Sequence, residues 1–229
     1  MLAAQEPLVR WDWLGSHLDL LGERAVEHLG LTVVSFVLGT LIAAVLTSVI
    51  RRWRWTTGPI TTLTTVLYTI PSVALFAALI PVFGVGTTVP VIALTTYSLV
   101  VLTPFLVSAF DQIDPPVLDA ADAMGMTRGQ RLRSVELPVA LPSVIAGLRV
   151  TAVTIIGLVT VGGLFGLGGF GDFIDEGLTR DFPTLIVVGV IGSVLLALAA
   201  DATLVAIGLL ASPWRRPRGS SLDAAEAAT

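Results

Sequence analysis

Few side chains in this sequence suit covalent or metal chemistry. The 229 residues contain no cysteine and only two histidines, His17 and His28, whose spacing is poor for a metal site on one helix. No phosphate-binding P-loop motif is present, and all thirteen basic residues are arginine. The sequence therefore predicts no catalytic residue, no cofactor site and no metal site in this chain.

Two charged residues are notable because they lie inside long apolar stretches. Arg149 and Asp201 each stand roughly ten residues from the same side of the membrane, which at about 1.5 Å per residue places them at a similar depth. Charges inside a membrane are costly, usually face the protein interior and often pair. We therefore predict that Arg149 and Asp201 form an ion pair or share a hydrogen-bond network; the alternative is that one of them lines a solute path.

The composition indicates an integral membrane protein. Hydrophobic residues make up 54% of the chain and charged residues only 13%, against about 25% charged in soluble domains, and the mean hydropathy is +0.88. Five segments are long enough to span a bilayer as helices. We place these segments at residues 29–50, 59–83, 89–110, 139–161 and 183–210. The expected fold class is an all-α polytopic membrane protein.

The arginines between these segments predict the orientation. They cluster after the first segment, between the third and fourth, and after the fifth, and a positive loop marks the cytoplasmic side. We expect the N-terminus outside and the C-terminus in the cytoplasm. Residues 1–28 would form an external segment with an amphipathic interfacial helix, although a solvated leader stays open. Residues 29–212 would form the transmembrane domain, and residues 213–229 a disordered cytoplasmic tail.

The most informative segment is the loop at residues 111–138. Asp114, followed by two prolines, predicts the start of a helix at 117–124 that ends at Gly125. Thr127 and Gln130 fit a capping box that opens a second helix, and Leu137-Pro138 would end it. Within the first helix one apolar face of small and medium side chains would allow close approach to a partner; its members are Val117, Ala120, Ala121 and Met124.

This loop resembles a motif of the permease subunits of bacterial ABC importers. Their cytoplasmic loop has the pattern E-A-A, then G, then L-P; this chain has Asp119-Ala120-Ala121, then Gly125, then Leu137-Pro138. Asp119 replaces the usual Glu, which keeps the charge and shortens the reach. Outside the loop, Tyr68-Thr69-Ile70-Pro71-Ser72 and the stretches 136–149 and 162–171 resemble the osmoprotectant branch of the family.

The resemblance implies a set of partners and a mechanism. The helix around Asp119–Gly125, with Met124 and the Leu137-Pro138 pair, would dock on a cytoplasmic ATPase. Two ATPase subunits would hold the ATP and Mg, and a second permease copy or a homologous permease would complete the pathway. An extracytoplasmic solute-binding protein would deliver glycine betaine, carnitine, choline or a similar solute to this multi-pass protein of the bacterial plasma membrane. No nucleic acid is implied.

Three other functions stay open at the level of sequence. An ABC permease for another small solute, such as an amino acid, would have the same loop. A secondary transporter driven by an ion gradient would instead need internal symmetry and ion-binding groups at mid-membrane depth. A membrane scaffold without transport is a further alternative.

Aromatic and bending residues of the second and third spans are candidates for the translocation pathway. Pro71 would bend the second span beside Tyr68 and Ser72, and Tyr97 lies in the third span. Aromatic faces attract quaternary ammonium groups, which favours Tyr68 and Tyr97 as residues of the path. An ordinary kinked helix with core tyrosines stays open. The glycine-rich stretch 162–171 predicts a turn or a re-entrant element at the outer mouth. Its amphipathic continuation at 172–179 would contact the binding protein, with a turn of no further function as the alternative.

Overall fold

The computed structural model describes residues 7–212, and that part of the chain is helical with no strand. The helices are α1 Trp11–Ser16, α2 Leu18–Arg52, α3 Thr57–Thr69, α4 Ser72–Phe83, α5 Thr88–Asp111, α6 Pro115–Ala123, α7 Arg128–Arg131, α8 Leu137–Gly163, α9 Phe170–Thr179 and α10 Pro183–Ala211. A 3-10 turn covers Arg54–Thr56 and a π turn covers Leu132–Glu136. The predicted tail at 213–229 lies outside the described residues.

Three of the five predicted spans agree closely with the structure. The helices α5, α8 and α10 begin and end within two residues of the predicted segments at 89–110, 139–161 and 183–210. Each is long and apolar enough to cross a bilayer, as is α2. The all-α class and the multi-pass architecture are confirmed.

The first span begins earlier than predicted. Helix α2 starts at Leu18 rather than at residue 29, so the predicted interfacial helix is not a separate element: its residues belong to α1 and to the first turns of α2. The cause is packing at that end of the bundle. Leu21 and Ala25 pack against a cluster formed by Phe170, Phe173 and Leu185, and this contact lets the helix continue through a charged stretch.

The second span is broken, where the sequence predicted one bent helix. Helices α3 and α4 meet at 92° around Ile70 and Pro71, and only together do they qualify as a span. Ile70 is extended, with φ −72° and ψ 120°, as the residue before a proline prefers. The carbonyl of Leu67 accepts the Ile70 N–H, and the carbonyl left over at the break, that of Ile70, accepts the Tyr97 hydroxyl.

The core joins the broken span to the continuous helices. Leu31 of α2, Phe76 of α4, Leu94 of α5 and Ile155 of α8 are buried in one cluster, with Leu167 from the turn after α8. Helix α2 packs closely along α5, and α8 packs against both α5 and α10. The broken span is therefore fixed to the bundle through α4 and Tyr97.

Glycine allows the close approach of α8 and α9 at the turn predicted near 162–171. A Cβ on Gly171 would lie 2.0 Å from the carbonyl oxygen of Thr160, and a Cβ on Gly163 would lie 2.4 Å from the Cα of Gly171. No side chain fits between these two backbones. The predicted turn and its helical continuation are confirmed, the latter as α9.

The helical path at Leu137-Pro138 differs from the prediction. The pair does not end a helix: residues 128–163 are continuously helical through α7, the π turn and α8. Pro138 has no N–H for the carbonyl four residues earlier, and its ring would crowd that carbonyl. The wider π turn immediately before Leu137 accommodates the proline without a break.

Candidate coupling site and pathway residues

The first helix of the 111–138 loop has well-defined ends. Asp114 occupies the N-cap position, with two prolines in the first turn, although its side chain forms no capping bond. At the other end Gly125 has φ +72°, a left-handed conformation that glycine adopts without a Cβ penalty. Its N–H donates to the Asp122 carbonyl at 2.9 Å, and the Met126 N–H donates to the Ala121 carbonyl at 3.2 Å. These two bonds form a Schellman motif, which fixes the direction of the chain after α6.

The predicted capping box is present at the start of the second helix. The Thr127 Oγ1 accepts the Gln130 N–H at 3.4 Å, and the Gln130 Oε1 accepts the Thr127 N–H at 2.8 Å. Only Met126 separates this cap from Gly125. The loop therefore has a rigid reversal between two capped helix ends, so that α6 is held as a unit.

The exposed surface of α6 differs from the predicted one at a single residue. Asp119, Ala120 and Met124 are exposed, and Met124 has 68% of its surface open. Ala121, expected on the partner-facing side, is only 1% exposed. Its small side chain lets α6 pack against the rest of the loop, and the outward face consists of Val117, Ala120 and Met124.

Apolar contacts hold the base of the loop. Leu118 packs against a small cluster of Ala109, Ile113 and Ala140, which joins the end of α5 to the start of α8. Leu137 is exposed beside this base and Pro138 is half-buried. The predicted coupling residues thus lie on one end of the bundle, which we call the loop end: α2 and α5 finish there, and α8 begins there.

A run of ion pairs crosses the loop end. Arg131 Nη1 donates to both carboxylate oxygens of Asp122 in α6, at 2.8 and 2.7 Å, and its Nε donates to Glu136 Oε1 at 2.9 Å. The other oxygen of Glu136 accepts from Arg51 at the end of α2. We call these four residues the salt-bridge chain. The Arg51 guanidinium also lies 4.0 Å from the centre of the Phe110 ring in α5.

The salt-bridge chain is not predictable from the sequence. There, Arg51 and Arg131 indicate only a cytoplasmic loop, and Glu136 is only part of a family-like stretch. Arg51 and Glu136 are 85 positions apart, and no local pattern reports a contact at that separation. A lone Glu directly before an apolar segment, among several arginines, is the one signal that was available.

The structure brings Arg149 and Asp201 into contact between α8 and α10. Arg149 Nε donates to one carboxylate oxygen at 2.7 Å and its Nη2 donates to the other at 2.8 Å, a bidentate pair. The side chains remain 41% and 32% exposed in the single chain. The two groups neutralise each other at one depth, but the pair is open on the side away from the two helices.

The four predicted pathway residues fall into two environments. Tyr68 is 66% exposed on α3, and Pro71 and Ser72 form the start of α4 at the break. Tyr97 is only 7% exposed, and its hydroxyl donates a hydrogen bond to the Ile70 carbonyl. Tyr97 therefore holds the break instead of facing open space, and Tyr68 is the aromatic side chain of this group that presents a free face.

A second polar cluster lies at the opposite end of α2, where α8 finishes and α9 begins; we call this the glycine end. Arg24 forms ion pairs with Glu27 at 2.8 Å and with Asp172 at 2.9 Å. These carboxylates accept backbone N–H groups of the turn, Gly169 to Glu27 and Gly168 to Asp172. Burial raises the pKa of Asp172, and the Arg24 charge offsets part of that rise.

His28 connects three elements at the glycine end. It is fully buried; its Nδ1 accepts the Phe170 N–H at 3.2 Å, and its Nε2 lies 3.1 Å from the Ile156 carbonyl. Since the amide can only donate and the carbonyl can only accept, the ring is neutral with its proton on Nε2. The sequence alone marks His28 only as a poor metal ligand, and the structure shows that it joins α2, α8 and α9.

Residues 35–212 match the family described as binding-protein-dependent transport system inner membrane component. The chain belongs to this family. It is therefore a multi-pass permease component of an ABC importer, the role predicted from the loop motif, and it is not itself the catalytic subunit.

The chain is also similar to individual permeases of osmoprotectant transport systems. The chain is 32% identical to the choline transport system permease protein OpuBB of Bacillus subtilis, over 78% of this chain and 82% of that one. It is 34% identical to the osmoprotectant import permease protein OsmW of Salmonella typhimurium, over 76% and 84%. It is 33% identical to the glycine betaine/carnitine/choline permease protein OpuCD of Bacillus subtilis, over 86% and 87%.

Solved structures share the fold. The permease in an inward-facing form of the MetNI methionine ABC transporter superposes with a TM-score of 0.69 at 24% identity, covering 84% of this chain and 98% of that chain. A chain of an amino acid ABC transporter crystallised with histidines gives a TM-score of 0.71 at 16% identity, covering 87% and 98%. At these identities the likeness concerns the fold alone, which confirms the ABC-permease architecture.

Proposed function

We propose that this chain is the permease subunit of an ATP-driven importer for a compatible solute that carries a quaternary amine, such as glycine betaine, carnitine or choline. The observation that supports this proposal is the sequence relationship to permeases of that solute class, at 32–34% identity over most of each chain. The exposed face of α6, held by a Schellman motif and a capping box, supplies the surface on which an ATPase would dock.

The proposed assembly has the partners expected of such a system. Two ATPase subunits bind ATP and Mg, and this chain binds neither. A second permease, identical or homologous, completes the pathway, and a solute-binding protein delivers the solute at the glycine end. In this arrangement the loop end and the C-terminus are cytoplasmic and the N-terminus is external, as the arginine distribution favours. ATP binding closes the ATPases, carries the two α6 helices together and switches the helices between inward-facing and outward-facing states.

Uptake by the reconstituted complex tests this function. Proteoliposomes with the permease, its ATPase and its binding protein would be loaded with ATP and offered labelled choline, glycine betaine, carnitine or methionine. We expect uptake of at least one quaternary amine, dependent on ATP and unaffected by collapse of sodium and proton gradients. Uptake of methionine alone would contradict the proposed solute class. Uptake that follows an ion gradient without ATP would contradict the proposed ATP-driven transport.

Tyr68 is the proposed contact for the quaternary ammonium group in the pathway. Its ring is exposed next to the break at Pro71, and an aromatic face attracts such a cation by about 0.5–2 kcal/mol. Tyr68→Phe keeps the face and Tyr68→Leu removes it. We expect Tyr68→Leu to reduce the uptake rate while Tyr68→Phe retains it; equal rates for the two variants would remove Tyr68 from the pathway.

Arg149 and Asp201 are proposed to act as a pair that stabilises the packing of α8 on α10. Their bidentate contact satisfies two charges at one depth in the membrane. Reversal of both charges together, Arg149→Asp with Asp201→Arg, should restore expression of the folded complex better than either single reversal. No rescue would count against the pair and favour a direct role of one residue in the solute path.

A further inference from the structure

Two kinds of contact connect α6 to the membrane helices: an apolar contact at the base of the loop and a network of ion pairs. The apolar contact is made by Leu118, which packs against the cluster of Ala109, Ile113 and Ala140. By contrast, the salt-bridge chain leads without a gap from α6 through the π turn to α2. Asp122 is bound by two hydrogen bonds, and Glu136 by one from each of two arginines.

Glu136 is the central residue of the chain. Its side chain is only 4% exposed, and its two oxygens contact different arginines on different elements. If Glu136 lost either arginine, its buried charge would be less well paired, which is costly, so the three groups are expected to move together. The π turn at Leu132–Glu136 places Glu136 toward the bundle instead of toward the surface.

Arg131 connects two carboxylates with one side chain. Its Nε donates to Glu136 while its Nη1 donates to Asp122. The single ammonium group of lysine cannot reproduce this geometry of the guanidinium group. The chain then continues through Arg51 to α2 and, by the stacked Phe110 ring, to the end of α5. Three membrane helices therefore meet α6 through this one network.

We infer that the salt-bridge chain Asp122–Arg131–Glu136–Arg51 is the link through which displacement of α6 is transmitted to α2, α5 and α8. Arg131 and Glu136 are positioning residues: they hold α6 in register with the membrane helices and need not touch the ATPase or the solute. The inference rests on the proposed coupling to an ATPase. It adds that docking and transmission depend on different residues, docking on the outward face of α6 and transmission on the chain behind it.

The test measures ATP hydrolysis and solute uptake in the same proteoliposomes. Uptake by the wild-type complex is the reference, and it must be observed before the variants are compared. Glu136→Gln keeps the size of the side chain, and Arg131→Lys and Arg131→Gln form a graded pair. Arg133→Gln is the matched control, because Arg133 is exposed in the same π turn and forms no ion pair within residues 7–212.

Transmission and docking predict different results. If the chain transmits, the solute imported per ATP falls by about three- to thirtyfold in Glu136→Gln and Arg131→Gln, with Arg131→Lys intermediate. The ATPase still copurifies with each variant, and Arg133→Gln matches the wild type. An unchanged amount of solute imported per ATP would overturn the inference. So would a loss of copurifying ATPase large enough to explain the entire decrease in solute uptake. Failure of wild-type uptake would instead contradict the proposed function.

Discussion

The two ends of α2 are both held by polar side chains, but in different ways. At the glycine end Arg24 pairs with Glu27 and Asp172. In addition, Glu27 and His28 bind backbone groups of the turn and of α8 and α9, and no side chain fits where the glycines bring α8 and α9 together. At the loop end Arg51 binds another side chain, Glu136, within a network that reaches α6. Contacts to backbone fix a turn in one geometry, whereas contacts between side chains can reorient. The difference suggests a rigid end that sets the fold and a loop end able to carry motion.

Gly171→Val should show the largest effect, because it tests the rigid end directly. A Cβ there would lie 2.0 Å from the Thr160 carbonyl oxygen, so α9 must move away from α8. We expect a loss of about 2–3 kcal/mol in the free energy of unfolding, measured as a lower midpoint of thermal unfolding in detergent. Gly30→Ala is the control, since nothing lies within 4 Å of its Cβ position. Equal midpoints for the two variants would show that the close approach is unimportant.

His28→Leu should have the next largest effect. The substitution leaves the buried Phe170 N–H without its acceptor, which costs about 1–3 kcal/mol. His28→Asn can still accept that hydrogen bond and should recover part of the loss. The same thermal midpoint measures both variants. Similar midpoints for Leu and Asn would mean that the histidine serves only to fill space.

Much of this architecture was predictable from the sequence. Long uncharged segments determine spans, so α5, α8 and α10 were placed within two residues of their ends. Local turn chemistry located the end of α6 at Gly125 and the capping box at Thr127, because the backbone conformations there depend on neighbouring residues.

Contacts between distant segments were not predictable in the same way. The 92° break at Pro71 is stabilised by Tyr97 of another helix, whose hydroxyl donates to the Ile70 carbonyl. The early start of α2 depends on its packing against α9 and α10. Arg149 and Asp201 are an exception: the cost of a lone charge in a membrane makes a partner at equal depth the natural expectation. No comparable rule pairs Arg51 with Glu136, because the sequence places both at helix ends, where water could satisfy either charge.

Gly125→Ala tests how firmly the loop end holds α6. An alanine in the left-handed conformation costs about 1–2 kcal/mol, so the Schellman motif should open more often. We expect faster hydrogen–deuterium exchange in the peptide that contains Gly125 and Met126, without a change in the spans. Gly129→Ala is the matched control, because Gly129 lies in α7 with open space around it. Equal exchange in both variants would contradict this interpretation of Gly125.

Asp111→Asn should have the smallest effect and sharpens the contrast within the loop end. Asp111 binds Arg54 at 3.0 Å, but both side chains are well exposed, and such a pair contributes less than about 1 kcal/mol. The thermal midpoint should change little at low salt and not at all at high salt. A large change would mean that any ion pair at this end matters, and the special position of Glu136 would be lost.

The most direct test of the account is a cross-linking comparison of the two ends. The chain has no cysteine, so Met124→Cys on α6 and Leu178→Cys on α9 each provide a single thiol at an exposed position. A thiol-to-photoreactive reagent attached in the assembled complex should trap the ATPase from position 124 and not from position 178. Trapping of the ATPase from position 178, or its absence at position 124 in a complex that hydrolyses ATP, would contradict the assignment of the loop end as the coupling site.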